Sequence, residues 1–551
     1  MCGISGILRF DGQRPDEMLV RGMMDKLVNR GPDFGDVYQD GPVIFGHRRL
    51  AIIDLSERAN QPMIDEELGL VIVFNGTIYN YKELRSELKT RGYHFKSNGD
   101  TEVILKAYHA WGDECVVHLS GMFAFSIWDM RKRELFLARD RMGIKPLYYS
   151  CTDKRFLFAS TPQALLTTGD VDTSIDKAAL HHQFTLHAVI PAPRTILNGV
   201  RKLEPGTFLK VGLNGKTVQQ RYWELEARRP REALSEEEWV ESIHVALRQA
   251  VEKRKAIADV PVGILLSGGL DSSLLVGLLS EAQSEKILTF SIGFEDMPEE
   301  SGHEFEYSDK VVERFATEHH KIHIPNSDVL SRLPEAIDHM SEPMVGQDAV
   351  AFYLLSERVS REVKVVQSGQ GADEVFGGYF WYQQMQQACG TDLHRFRMHN
   401  FDRTHGEFLE TVSEQYRDAD YTSELIENLL AQSGGEEFMD RVLHLDVTTL
   451  IVDDPVKRVD NMTMAWGLEA RVPFLDQEVV ERAAQMPPGI KFKQDGKYPL
   501  KAIARGPIPD EVIDRPKGYF PMPALKYVRG AFLDFMREIL ESPSCKARGL
   551  Y

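Results

Sequence analysis

The sequence predicts two domains of different class: a strand-rich, layered α+β sandwich over residues 2–210 and an α/β domain with a parallel sheet over 236–551, joined by a linker at 211–235. Three observations lead there. At 551 residues the chain is too long for one ordinary core. Its first part consists of short apolar or alternating runs bounded by Gly, Asp and Asn. From Glu236 onward, long helical stretches alternate with short apolar strands, the pattern of a parallel sheet covered on both faces.

The N-terminal strands are read from VIFGHRRLAIIDL, LGLVIVFNGTIYNY, MFAFSIWDM, ELFLARD and FLFAS. Two stretches with helical spacing, YKELRSELKTRGY and TEVILKAYHAWG, interrupt them. So many strands with few helices make a layered sandwich. In the second half, EEEWVESIHVALRQAVEKR reads as a helix with acidic residues in its first turn. VPVGILLSGGL is a buried strand entering a glycine turn, DSSLLVGLLSEA the helix after it, and KILTFSIGF the next strand.

The net charge of -18 argues against nucleic acid as a partner, because phosphate backbones need clustered Lys and Arg. Five cysteines, with Cys115, Cys151, Cys389 and Cys545 far apart, do not make a disulfide framework. Neither a signal peptide nor an apolar run of membrane-spanning length is read, so a cytoplasmic protein is expected.

Cys2 is the first candidate for chemistry. The small second residue favours removal of Met1, which would give Cys2 both a thiol and the chain's α-amine. That amine, with a reference pKa of about 7.7–8.0, is a built-in general base. NRGPDFGD, GHRRLAIIDL, FNGTIYNY, SNGDTEVIL, LSGMFAFSIWD and LARDRMGIKPLYY follow in order. Over residues 2–200 this series resembles the class II glutamine amidotransferases, whose glutaminase domain is an N-terminal-nucleophile hydrolase fold, an αββα sandwich. The resemblance implies that Cys2 attacks the glutamine side-chain amide. Asn75 and the Gly76 N–H would form the oxyanion hole, Arg49 would hold the substrate α-carboxylate, and Asp100 its α-ammonium. Asp100 also stands where a helix N-cap belongs, and both jobs are expected of it. One position departs from the pattern: asparagine synthetases carry NGE where this chain has Thr77 after Asn75 and Gly76. Asp100 is therefore expected to bind the ammonium alone.

The second candidate is Ser267-Gly268-Gly269-Leu270-Asp271-Ser272-Ser273, between an apolar strand and a helix. Glycines there let the backbone approach phosphate, and the helix N-terminus offers free N–H groups. The loop is neither a Walker A sequence nor GxGxxG. It resembles the pyrophosphate-binding loop of ATP pyrophosphatases, the α/β adenine-nucleotide alpha-hydrolase-like fold. QSGQGADEVFGGY from Gln367, VDNMTMAWGLEARVPFLD at 459–476 and DRPKGYF at 514–520 extend the resemblance to the asparagine synthetase domain. It implies an ATP site of Leu266, Ser267, Gly268, Gly269, Asp271, Ser272, Ser291, Ile292, Gly293, Ser368 and Gly369. It further implies Mg²⁺ on Asp271 and Asp373, and Lys517 stabilising charge on an adenylate or tetrahedral intermediate. The substrates implied are L-glutamine, ATP and a carboxylate acceptor, and family members are often homodimers.

Gln370 and Asp373 are the acceptor candidates. Asparagine synthetases carry Glu where this chain has Gln370 in SGQGADE. An uncharged amide loses most of the attraction for the α-ammonium of aspartate, so an acceptor without a free amine is expected. YHAWG, HAVIPAPRTIL, GQGADEVFGGY and DRPKGYFPMPALKY resemble the N-acetylglutaminylglutamine amidotransferases, whose acceptor has a blocked N-terminus. Aspartate is the rival acceptor. The family also carries further helices after the RPK segment than this chain has.

Other readings weigh less. His319, His320 and His323 lack a carboxylate or Cys partner at metal-ligand spacing. His303 is placed in a loop near the nucleotide, and His181 and His182 on a helix surface. Sugar-phosphate amidotransferases lack SGGLDSS, a lactam-forming synthetase would lack Cys2, and a non-catalytic sensor would have lost one of Cys2, Asp271, Asp373 or Lys517.

Overall fold

The computed structural model describes residues 2–282, 285–296, 301–344, 348–515 and 528–551. Lys517 lies outside them.

Two antiparallel six-stranded sheets build the N-terminal half. The first runs Arg201–Lys202, Tyr148–Cys151, Arg155–Ala159, Gly3–Arg9, Val43–Arg49, Phe34–Asp40 across its width. The second runs Thr217–Arg221, Thr207–Gly212, Glu134–Arg139, Gly121–Asp129, Leu70–Ile78, Met63–Asp65. Strand periodicity sorts the apolar side chains into layers. Ile4, Leu8, Phe45, Val71, Val73 and Trp128 fill the space between the sheets. Ile7 and Ile44 face outward under helix Glu17–Asp25, through Val20, Met23 and Met24. Ile72, Phe74 and Phe125 face the other way, under helices Tyr81–Thr90 and Thr101–Trp111. The result is the αββα sandwich. Its second sheet continues past residue 210: the hairpin Thr207–Gly212 to Thr217–Arg221 forms an edge, and its second strand falls in the segment read as linker, 211–235.

Helix Glu236–Ala256 opens the C-terminal half. Ser235 and Glu238 form a reciprocal capping box, with three glutamates in the first turn and Lys253, Arg254 and Lys255 in the last, matching the helix dipole at both ends. A five-stranded sheet follows in the spatial order Glu318–Ile324, Leu288–Phe294, Val262–Leu265, Val365–Gln367, Glu469–Arg471, every pair parallel. Both faces are covered. Ile264 and Val365 pack with helix Leu270–Ala282, while Leu265 and Val366 pack with helix Asp348–Val359. Chain order reverses between Val262–Leu265 and Val365–Gln367. A crevice opens at such a switch point, beyond the carboxyl ends of the strands.

The five cysteines are unpaired. Among the described residues no helix is long and apolar enough to cross a membrane.

Candidate active sites

Cys2 sits at the head of strand Gly3–Arg9 and is buried. Its backbone nitrogen donates to Asn75 Oδ1 at 3.0 Å. The other end of the same amide, Asn75 Nδ2, is buried and has no hydrogen-bond partner among the described residues. Leaving such a donor unmatched costs about 1–3 kcal/mol. Gly76 has φ +157, and a Cβ on it would stand 2.2 Å from the Met122 carbonyl oxygen, so no larger residue fits. Burial raises the Cys2 thiol pKa, against the Leu50 N–H and the Arg49 charge.

Cys2, Arg49, Gly76, Thr77, Asp100 and Glu469 line one small pocket. Arg49 is anchored by the Ser56 carbonyl (3.0 Å), Asn60 Oδ1 (2.7 Å) and the Asp54 carbonyl. Asp100 occupies the N-cap position of helix Thr101–Trp111 but makes no side-chain cap there. Its carboxylate accepts instead from the Ile78 N–H at 3.0 Å, so the expected capping job is absent. Burial, with the nearby Glu469 charge adding to it, lifts Asp100 to about 6.

Glu469 is a residue that the sequence reading missed. It belongs to the last strand of the C-terminal sheet yet is buried in the Cys2 pocket. Thr77 Oγ1 donates to its Oε1 at 3.3 Å, and Arg471 Nε to the same oxygen at 2.6 Å. The departure at Thr77 is thus filled by a carboxylate from the other domain. The same strand reaches the second site, because the Arg471 carbonyl accepts from the Ser368 N–H at 2.9 Å.

The second site occupies the switch point. Leu266, Ser267, Asp271, Ser272, Ser291, Ile292, Ser368, Gly369, Gln370 and Asp373 line one crevice. Gly268, at φ +75, turns the loop, and a Cβ there would stand 2.7 Å from Ser308 N. Ser267 Oγ accepts from the Gly269 N–H at 3.3 Å and lies 3.1 Å from Ser272 Oγ, which holds the loop against the helix start. Gly293 does not line the crevice; it packs beneath His303 and Phe305.

Asp271 and Asp373 face each other across Lys497. Its Nζ lies 2.6 Å from Asp271 Oδ2 and 2.8 Å from Asp373 Oδ1. Burial opposes the charge on Lys497, but the two carboxylates outweigh it and raise its pKa. Nothing in KYPL marks Lys497 locally, so the sequence reading passed it over. Glu374, also in the crevice, accepts from Tyr379 OH at 2.8 Å. Burial first, and the Asp373 charge second, push Glu374 up to about 7. Lys517 lies outside the described residues.

The remaining histidines separate. His319 bonds Thr289, His320 stacks on Phe290, and His323 meets Phe305 edge-on. His303 stacks on Phe305. His181 and His182 are both buried, against the surface reading. Helix Lys177–Thr185 is enclosed on most sides, with Lys177 exposed at its start and Gln183 and Phe184 partly exposed.

An asparagine synthase family model matches residues 242–551, and a glutamine amidotransferase domain model matches residues 1–223. The chain belongs to the asparagine synthetase family. Asparagine synthetase [glutamine-hydrolyzing] 1 of Bacillus subtilis is 32% identical, covering 99% of this chain and 91% of that protein. Asparagine synthetase [glutamine-hydrolyzing] 3 of the same organism is also 32% identical, over 95% of this chain and 87% of that protein. Among solved structures, a B. subtilis glutamine phosphoribosylpyrophosphate amidotransferase with ADP and GMP matches at TM-score 0.32 and 15% identity, over 58% of this chain and 90% of that one. As an asparagine synthetase family member, the chain is a carbon–nitrogen ligase that takes nitrogen from glutamine. Cys2 belongs to its amidotransferase domain and Asp271, Asp373 and Lys497 to its synthase domain. Glu469, from the synthase domain, lies in the pocket of the other.

Proposed function

We propose that this family member adenylates a carboxylate acceptor with ATP and amidates it with ammonia released from glutamine, the acceptor being N-acetylglutaminylglutamine. The observation that carries the glutaminase half is the unmatched Asn75 Nδ2 beside Cys2. Once Met1 is removed, the α-amine of Cys2 takes the thiol proton, and Sγ attacks the glutamine carboxamide. Asn75 Nδ2 and the Gly76 N–H receive the oxyanion. Ammonia leaves, and water hydrolyses the thioester. Arg49 holds the glutamine carboxylate. Asp100 and Glu469 hold its ammonium, so this chain has a second carboxylate despite Thr77.

In the crevice the acceptor carboxylate attacks the α-phosphorus of ATP and pyrophosphate leaves. Ammonia, kept from water between the domains, then displaces AMP from the acyl carbon. Lys517 would stabilise the charge of that step. Asp271 and Asp373 converge on one cationic nitrogen, and the same two carboxylates would hold a nucleotide-bound Mg²⁺. A Mg²⁺ held there would supply charge neutralisation on the phosphates. Ser267, Ser272 and the backbone of 266–269 receive the pyrophosphate, and Ser291 and Ile292 the adenosine.

Gln370 supports the blocked acceptor. It lines the crevice without a charge to meet an α-ammonium. The names of the Bacillus relatives favour aspartate instead. Pyrophosphate release from MgATP, measured with each acceptor and no glutamine, decides between them. Release with N-acetylglutaminylglutamine and none with aspartate is the expected result. The reverse would remove the blocked-acceptor reading.

A pH dependence follows from Asp100. Its carboxylate must be ionised to hold an ammonium, and its pKa is near 6. Below that value kcat/KM for glutamine should fall about tenfold per pH unit, while above it this group imposes no loss. In Asp100→Asn the fall attributable to this group should vanish, with a raised KM at every pH. A wild-type profile flat down to pH 5 would contradict the assignment.

A further inference from the structure

Away from both sites, three segments distant in sequence converge on His181. It lies in helix Lys177–Thr185; His405 comes from helix His405–Thr411, and Asp420 caps helix Tyr421–Gln432. His181 Nε2 is 3.1 Å from His405 Nδ1 and 3.8 Å from Asp420 Oδ1. One donor atom from each residue lies within 4.8 Å of the others. At zinc bond lengths of about 2.0–2.1 Å, two ligands of a tetrahedral ion stand about 3.3 Å apart. The two spacings at His181 bracket that value.

Hydrogen-bond accounting around Thr422 decides which nitrogen of His181 faces the cluster. Thr185 Oγ1 donates its one hydrogen to the His181 carbonyl at 2.7 Å. The contact of 2.7 Å between Thr185 Oγ1 and Thr422 Oγ1 therefore uses the hydrogen of Thr422. Thr422 Oγ1 is left with lone pairs, which accept from His181 Nδ1 at 2.8 Å and His182 Nδ1 at 2.9 Å. His181 thus carries its proton on Nδ1 and presents an Nε2 lone pair to His405 and Asp420. Metal-bound imidazoles are held in this way by their second nitrogen. The Asp420 carboxylate is also oriented: Oδ1 accepts from the Ser423 N–H at 3.1 Å, and Oδ2 from Ser423 Oγ at 2.8 Å.

We propose that His181 Nε2, His405 Nδ1 and an Asp420 carboxylate oxygen bind one Zn²⁺, with water as the fourth ligand. Two imidazoles and a carboxylate are a donor set that suits this ion. The site would be a structural clasp, tying helix Lys177–Thr185 to two helices of the C-terminal half.

Untagged, chelator-stripped protein titrated with Zn²⁺ tests this, with bound metal counted by elemental mass spectrometry. One zinc per chain should bind at His181, and Tm should rise with added Zn²⁺. His405→Ala and Asp420→Asn should each weaken that binding at least about tenfold and lose the Tm rise. Co²⁺ in place of Zn²⁺ should give the visible absorption of a tetrahedral ion in the wild type, absent from His405→Ala. Absence of zinc binding in the wild type, or unchanged binding in both variants, would overturn the site and leave an imidazole–imidazole hydrogen bond there.

Discussion

Cys2→Ala is expected to lower glutamine-dependent amide formation by about 10³-fold or more, while synthesis from added ammonium stays within about twofold of the wild type. The size follows from what is lost. In the proposed cycle the thiol is the nucleophile, and no other group among the described residues of its pocket can form a thioester. The preserved half follows from place in the fold: Asp271, Lys497 and Asp373 meet at the switch point of a different sheet. Alanine also removes little volume from a site that glutamine itself must enter, so folding is not at stake. Asn75→Ala makes a useful companion. It removes one oxyanion donor and should cost about 10²–10³-fold in glutamine hydrolysis, again sparing ammonium-dependent synthesis. The measurement is amide product by mass, with either nitrogen source. Loss of both activities in Cys2→Ala would refute the division of labour.

Asp271→Asn should have the opposite signature. Acceptor-dependent pyrophosphate release should fall by about 10²-fold or more, while glutamine hydrolysis survives. Asp271 Oδ2 and Asp373 Oδ1 share the Lys497 ammonium at 2.6 and 2.8 Å. Neutralising one carboxylate halves the negative charge that balances Lys497 and that a metal–nucleotide complex would meet. Lys497→Met attacks the same balance from the other side, leaving two acidic groups close together without their buried cation. Their pKa values should rise, and synthesis should fall with them. Both variants are scored by pyrophosphate release and by glutaminase rate on the same preparation. Normal pyrophosphate release in Asp271→Asn would remove this pair from the reaction.

Where the candidate groups are neighbours in sequence, the sequence alone could single them out. Cys2, the Asn75–Gly76 pair and the loop from Ser267 to Ser272 each combine a turn or strand end with the functional group, so the local string carries both. Gly76 shows why: its conformation and the Met122 carbonyl behind it admit only glycine. The run VIFGHRRL likewise read as a strand, and its Ile44 and Phe45 take the two covered faces.

Glu469, Lys497 and His181 were unreadable for a common reason. A charged or polar residue in a helix or strand looks solvated until its surroundings are known, since its burial depends on segments far away in the chain. Glu469 is separated from Thr77 by 392 positions and Lys497 from Asp271 by 226. By itself the sequence determined the two fold classes and singled out Cys2 and the loop from Ser267 to Ser272 as candidates, because periodicity and turn chemistry are local. Only the tertiary structure decided that a strand of the synthase domain completes the Cys2 pocket and that a lysine balances the crevice carboxylates, because burying a charge is affordable only where folding delivers its partner.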